Sequence, residues 1–196
     1  MEYKYRINMN KMKYKMKYIK NSKVTFAVGI TIIFIININI GCVENQQRRF
    51  GNMKLSSSAF EDNKMIPSEY TCDGADLSPP LSFSNIPENT KSLALIMDDP
   101  DAPIKTWVHW LIWNIPVNKT GFYKGENITY PKGKNDFGYL DYGGPCPPYG
   151  THRYFFKLYA LDTTIDLNEG STKKQLESAM SGHIIEEAQL IGTYKR

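Results

Sequence analysis

The chain has 196 residues and a formal net charge of +4, enough for one domain of ordinary size plus an appendage. The charge is unevenly distributed. Residues 1–49 hold seven Lys, three Arg and two Glu, a net charge of +8, so residues 50–196 carry −4 of the total. A mildly acidic folded part lacks the basic face that nucleic-acid binding requires, and we expect no nucleic-acid partner.

The first predicted element is an apolar leader. Residues 24–40 form an uncharged run of 17 positions, which follows a Lys-rich start and precedes Gly41, Cys42 and a polar stretch. This order is typical of a secretory leader, and the run is at the lower length limit of a membrane span. We therefore divide the chain into residues 1–49, a basic region with a leader or anchor and a tether, and a domain at residues 50–196. The positive-inside rule places that domain outside the cytoplasm.

The end of the leader allows three interpretations. Gly41 and Cys42 resemble the cleavage site of a bacterial-type lipoprotein, in which Cys42 becomes a lipidated N-terminus, although Asn39 stands where such sites usually have Leu. The alternatives are an uncleaved anchor and ordinary cleavage. The first two interpretations predict a membrane-anchored protein.

Five stretches predict the strands of the domain. Trp107–Ile115 and Tyr154–Leu161 are rich in β-branched or aromatic residues, which favour pleated, half-buried surfaces, and Ser92–Met97 is a short apolar run. In chain order they are Met53–Ala59, Ser92–Met97, Trp107–Ile115, Tyr154–Leu161 and Gln189–Tyr194.

Helices are fewer than strands. One is predicted over Lys173–Met180, with Ser171 or Thr172 as its N-cap, and a second, short one over His183–Glu187. The long stretches 67–80 and 121–150 are dense in Gly, Pro, Asn and Asp and are predicted to be loops. The sequence therefore predicts a mainly β fold, an antiparallel β-sandwich with one or two short peripheral helices.

Two polar motifs lie beside predicted strands: the first follows Ser92–Met97, and the second leads into Tyr154–Leu161. The first runs Asp98-Asp99-Pro100-Asp101-Ala102-Pro103, and its prolines restrict the backbone around Asp99 and Asp101. Its carboxylates either contribute to a binding site or cap their own turn. His109 follows within an apolar strand, where a histidine is more often a core residue than a ligand contact. Strand alternation predicts that Val108 and Trp110 face away from it.

The second motif runs from Gly144 to Tyr154 and reads Gly-Pro-Cys-Pro-Pro-Tyr-Gly-Thr-His-Arg-Tyr. His152 and Tyr154 are two residues apart, so on a strand both side chains share one face, whereas Arg153 points to the other. Imidazole and phenol can therefore meet one ligand together, and Arg153 is predicted to form a structural ion pair.

The two motifs resemble those of the phosphatidylethanolamine-binding protein family, in its bacterial and archaeal Raf-kinase-inhibitor-like branch (the YbhB/YbcL type). Tyr70–Gly74, Leu77–Ser82 and the ending Leu190–Arg196 are similar to that branch as well, so the resemblance spans about Met53 to Arg196. It implies a Greek-key β-sandwich. It also implies a small site for phosphate-type anions, such as a phosphate or a phospholipid head group, without a cofactor. The implied pocket consists of Asp99, His109, His152 and Tyr154, with Pro145, Cys146 and Pro147 as its wall. Asp101 is added as a candidate ligand-binding residue because of its place in the proline turn.

The same residues leave other functions open. Two His and two Asp also fit a hydrolase or a metal-dependent enzyme, although the sequence has no Gly-x-Ser-x-Gly, His-Glu-x-x-His or P-loop motif. A protein-interaction, inhibitor-like module is a further alternative. Family members are linked to kinase inhibition, but an exported domain would not meet a cytoplasmic kinase, and the sequence does not identify a protein partner. A binding module is therefore favoured over an enzyme.

The redox state of the cysteines bears on the enzyme alternative. If Cys42 carries a lipid, Cys72 and Cys146 remain, and an even pair in an exported domain indicates a disulfide at the rim of the site. The alternative is two unrelated thiols, of which Cys146, near His152 in sequence, would be a candidate nucleophile.

Overall fold

The computed structural model describes residues 51–196. The predicted leader, the division at residue 49 and the lipidation of Cys42 lie outside the described residues. Within residues 51–196, no helix is both long enough and apolar enough to span a bilayer.

The described chain is mainly β-strand and forms two sheets. In chain order the elements are β1 (Lys54–Ser56), β2 (Lys64–Met65), β3 (Leu81–Ser84), β4 (Ser92–Asp99), β5 (Trp107–Ile115), β6 (Gly121–Phe122), β7 (Thr151–Leu161), α1 (Lys173–Met180) and β8 (Ile184–Lys195), with a single 3₁₀ turn at Ser68–Tyr70. The small sheet has the order β1-β3-β6 and the large one β2-β8-β7-β4-β5. All pairings are antiparallel except that of the two-residue β2, which runs parallel to β8.

The large sheet is covered on both faces. One face packs against the small sheet, where Phe83 and Phe122 join Trp110 and Phe156 in a single apolar cluster. The other face packs against α1 and its flanking loop. This explains why all eight residues of β4 are buried and why its sequence does not alternate between apolar and polar.

The helix α1 begins as its sequence predicts. The Thr172 hydroxyl accepts from the backbone N–H of Gln175, whose side chain in turn accepts from the backbone N–H of Thr172, which forms a capping box. Leu176 and Met180 are its buried residues.

The second predicted helix, His183–Glu187, is wrong. Gly182 closes the turn after α1 with a φ of 82°, and β8 then begins at Ile184. Ile184 pairs with Leu161, and Glu186 and Glu187 pair with Ala160 and Tyr159 of β7. A short Ile-Ile-Glu-Glu stretch has little helix preference of its own, so pairing along the whole of β7 decides its conformation.

Candidate functional site

The sequence-predicted Asp99 and His152 form a buried pair. Asp99 ends β4 and His152 lies near the start of β7, and both are at most 4% exposed. The Nδ1 atom of His152 donates to Oδ2 of Asp99 over 2.7 Å, while Oδ1 of Asp99 accepts from the backbone N–H of Asp101 over 2.8 Å. The second bond holds the carboxylate in the rigid proline turn, so Asp99 orients the imidazole ring through a fixed contact.

His109 reaches the same side of the large sheet because β5 contains a β-bulge. Met97 pairs with Trp110 and Asp98 with Val108, which leaves His109 as the extra residue. Trp110 belongs to the apolar cluster between the two sheets, which also holds Tyr154, and the His109 ring meets the Tyr154 ring edge-on at 5.2 Å between centroids. The alternation prediction is therefore wrong for Trp110, which shares the face of His109, and holds for Val108, which joins the cluster under α1.

The tautomer of His109 follows from its partner. Its Nδ1 atom lies 2.6 Å from the carbonyl oxygen of Gly143, which can only accept, so Nδ1 carries the proton. The backbone N–H of Gly143 returns a bond of 3.1 Å to the His109 carbonyl. Burial lowers the pKa of His109, and the bond to Gly143 and the nearby Asp99 only partly oppose this. His109 is therefore neutral at pH 7, with a lone pair on Nε2.

Tyr154 is fully buried on the same face as His152, as their spacing predicts. Its hydroxyl makes no hydrogen bond of normal geometry with the described residues. Burial and the nearby Asp99 raise the pKa of Tyr154 far above its usual range. The backbone N–H of Cys146 lowers this pKa, but by less. The phenol is thus a neutral O–H donor, and we call Asp99, His109, His152 and Tyr154 the histidine cluster.

Asp101 faces a different partner. The Arg153 guanidinium forms two parallel bonds to its carboxylate, of 2.9 Å from Nε and 2.8 Å from Nη2, and the Arg153 backbone N–H adds a third. These bonds hold the pKa of Asp101 below its usual range. The structure therefore places Asp101 in an ion pair beside the cluster, and Arg153 in the structural role that the sequence predicts.

Asp98, the residue before Asp99 in β4, makes its contacts on the opposite face of the large sheet. Asp98 is 1% exposed and pairs with Lys157 at 2.8 Å and with Lys173 of α1 at 2.6 Å. Although burial opposes it, the bond to Asp98 raises the pKa of Lys173. Asp98 thus ties α1 to the sheet.

The wall predicted at Pro145, Cys146 and Pro147 lies against the loop that follows the 3₁₀ turn. A disulfide joins Cys72 to Cys146, and the Cys72 backbone N–H donates to the Pro145 carbonyl over 3.1 Å. A thiolate nucleophile at Cys146, one of the alternatives left open by the sequence, is therefore not available.

Two glycines let this wall approach its neighbours. The Gly144 backbone N–H donates to Asp76, and a Cβ at Gly144 would lie 2.6 Å from the Tyr70 carbonyl oxygen. A Cβ at Gly143 would lie 2.5 Å from the Phe137 ring. The Gly143-Gly144 sequence, where the second motif begins, is the signal for this close packing, and the sequence analysis missed it.

An aromatic ladder that the sequence analysis also missed leads outward from His109. Phe137 meets the His109 ring edge-on at 5.3 Å and Trp107 at 5.5 Å, and it stacks on Tyr139 at 5.9 Å. Phe137 and Tyr139 are each about two-fifths exposed. They lie in the long loop 121–150, where no periodic pattern marks which aromatic residues turn inward.

The two cluster histidines are held in the same way. Each cluster histidine is held through Nδ1, and neither Nε2 atom makes a hydrogen bond with a described residue. Within residues 51–196, no three His, Cys, Asp or Glu side chains come together as metal ligands. The two Nε2 atoms and the phenol O–H are therefore the polar groups of the cluster that the other described residues leave without a normal hydrogen bond.

Comparisons with known proteins agree with this fold and these motifs. The model of the phosphatidylethanolamine-binding protein family matches residues 56–195. A UPF0098 protein of Methanothermobacter thermautotrophicus is 53% identical over 152 residues, which cover 74% of this chain and 99% of that protein. A second UPF0098 protein, from Pyrococcus horikoshii, is 43% identical over 178 residues, covering 86% of this chain and 89% of that protein.

Solved structures show the same likeness. The crystal structure of a phosphatidylethanolamine-binding protein homologue, CT736 from Chlamydia trachomatis, superposes with a TM-score of 0.71 at 44% identity, covering 74% of this chain and 97% of that one. YbcL of E. coli, described as a member of the mammalian family, superposes with a TM-score of 0.70 at 31% identity, covering 74% and 99%. The chain thus belongs to the phosphatidylethanolamine-binding protein family, and the four relatives named above are bacterial or archaeal.

Proposed function

We propose that the protein binds a small phosphate-type anion at the histidine cluster and does not itself catalyse a reaction. The family fold supports a small-ligand-binding or interaction module. The observation that carries the proposal is the buried O–H of Tyr154, which donates to no acceptor of normal geometry among the described residues. A buried donor in this state costs about 1–3 kcal/mol, and an anionic oxygen would satisfy it.

The tautomers define which ligand groups fit. When protonated, His152 donates from Nε2 to an anionic oxygen while Asp99 holds its other nitrogen. Neutral His109 instead offers a lone pair on Nε2, which accepts from a ligand hydroxyl or ammonium group. The cluster therefore suits an anion that also carries a donor, such as a phosphate monoanion or phosphoethanolamine.

The location of the domain is part of the same proposal. The leader predicted at residues 1–49 would tether the domain outside the cytoplasm, and the Cys72–Cys146 disulfide is of the kind that persists in oxidising compartments. Fractionation of the full-length protein between membrane and soluble material tests the tether.

The first test is a titration of the full-length protein with inorganic phosphate and phosphoethanolamine. The NMR signals of the histidine rings report binding during the titration. His152→Ala should weaken binding at least about tenfold, because a charge-assisted hydrogen bond is lost. The matched control is His183→Ala, since His183 also pairs with a carboxylate, Asp162, at 2.8 Å but on the exposed surface. Equal affinity in the two variants, with both folded, would refute the proposal.

A further inference from the structure

The charges of the histidine cluster do not attract an anion by themselves. His109 is neutral because it is buried. Any positive charge on His152 is balanced by Asp99, 2.7 Å away. A phosphate monoester brings a charge of about −1.5 to −2 at pH 7, so the site needs a cation from elsewhere in the fold.

The register of β7 and β8 places a cation next to the cluster. Gly192 pairs with Tyr154 and Tyr194 pairs with His152, so the side chains of these residues share one face of the large sheet. The Arg196 backbone N–H donates to the Gly150 carbonyl over 3.3 Å, which continues the pairing by one step. Arg196 therefore follows Tyr194 on the face of His152.

The neighbouring cations of these two strands point the other way. Arg153 pairs with Asp101 on the far side, and Lys195 pairs in register with Thr151 on that side as well. Within β7 and β8, no residue on the cluster face is a Lys or Arg, and Arg196 follows directly after β8.

Contacts hold the Arg196 side chain against the wall of the cluster. One guanidinium nitrogen lies 2.9 Å from Asp73 and the other 3.6 Å from the Cys146 sulfur. Asp73 in turn accepts from the Tyr194 hydroxyl over 3.0 Å. The Arg196 side chain is 47% exposed, so water can replace either contact at little cost.

We propose that Arg196 is an anion-binding residue at the edge of the histidine cluster, which exchanges its contact with Asp73 for the ligand's oxygens. This inference rests on the proposed function. Arg196 adds the positive charge that the cluster lacks, and Asp73 keeps the guanidinium in place when no ligand is bound. Its planar fork of donors suits two phosphate oxygens at once.

The matched control is built into the fold. Arg153 forms an ion pair with Asp101 on the face opposite the cluster, just as Arg196 forms one with Asp73 on the cluster face. Both Arg side chains are about half exposed. Arg153→Gln and Arg196→Gln remove the same charge from the molecule, so a difference between them reports position and not net charge.

The experiment measures phosphate affinity of the full-length variants by titration calorimetry at about 20 mM and about 500 mM salt. Arg196→Gln should weaken binding about fivefold at low salt, Arg153→Gln should leave it unchanged, and Asp73→Asn should strengthen it by releasing the guanidinium. The effect of Arg196→Gln should shrink at high salt, where charges are screened.

The outcomes separate the two proposals. Phosphate binding by the wild type and its loss in His152→Ala, together with equal affinities of Arg196→Gln and Arg153→Gln, would overturn the role of Arg196 and leave the anion site standing. Failure of the wild type to bind phosphate or phosphoethanolamine would overturn both.

Discussion

Two buried tyrosines differ in one hydrogen bond. The Tyr142 hydroxyl donates to the Tyr70 carbonyl over 2.7 Å, whereas the Tyr154 hydroxyl has no such bond with a described residue. A side chain kept for stability alone would gain from losing an unpartnered hydroxyl, since the burial cost is then removed.

Tyr154→Phe should therefore raise the free energy of unfolding by about 1 kcal/mol and weaken phosphate binding. Tyr142→Phe, as the control, should lower the free energy of unfolding by about 1–2 kcal/mol, because it leaves a buried carbonyl without its donor. Urea denaturation measures both. A destabilised Tyr154→Phe that still binds phosphate would show that the hydroxyl is structural.

Burial of His109 makes the stability of the fold depend on pH. The pKa of His109 is lowered in the folded state, so the unfolded chain binds more protons between the folded value and the ordinary value of 6.5. The stabilising contribution is complete above pH 6.5 and is lost as the pH falls towards the folded pKa.

His109→Asn tests this dependence, since its amide can still donate to the Gly143 carbonyl but does not titrate in this range. The free energy of unfolding of the wild type should fall below pH 6.5 more steeply than that of the variant. Denaturation curves between pH 4 and pH 8 measure the two slopes. Parallel curves would mean that the pKa of His109 is the same in the folded and in the unfolded protein.

At the scale of elements, the pattern of β7 is read directly from the sequence. The spacing of His152, Arg153 and Tyr154 predicts which side chains face the cluster, because β7 pairs with β8 without a break up to Ala160. In β5 the same rule fails at Trp110. A bulge depends on the pairing partner, and nothing in Trp107–Ile115 shows that Asp98 and Met97 leave His109 unpaired.

The start of β8 shows the opposite case, in which the local sequence does not determine the secondary structure. A turn at Gly182 followed by His-Ile-Ile-Glu-Glu has no strong local signal, and β8 forms because β7 offers an unpaired edge along its full length. The same pairing brings Arg196 to the face of His152. This proximity could not be predicted, because it depends on a register that pairs His152 with Tyr194, about forty residues later in the chain.

At the scale of the whole molecule, one covalent bond ties distant parts of the fold together. The Cys72–Cys146 disulfide closes a loop with a sequence separation of 74, about half of the described chain. Cross-linking a loop of this length removes conformational entropy from the unfolded chain and stabilises the fold by about 4 kcal/mol. The sequence left the bond open, since an even pair of cysteines does not determine connectivity.

The double variant Cys72→Ala/Cys146→Ala should therefore lose about 4 kcal/mol of unfolding free energy relative to the oxidised protein. The control is the wild type under reducing conditions, which should lose a similar amount while keeping every side chain. Chemical denaturation measures both differences. Equal stability of oxidised and reduced protein would show that the unfolded chain is already compact around this pair.

The same bond changes what a cut in the backbone would do. The segment between Cys72 and Cys146 contains β3 to β6 and most of the long loop, and its exposed Tyr123 offers a protease an accessible site. A single cleavage there divides the chain into two pieces that remain one covalent molecule. The nicked protein would keep the mass of the intact chain on a non-reducing gel and separate into two bands only after reduction.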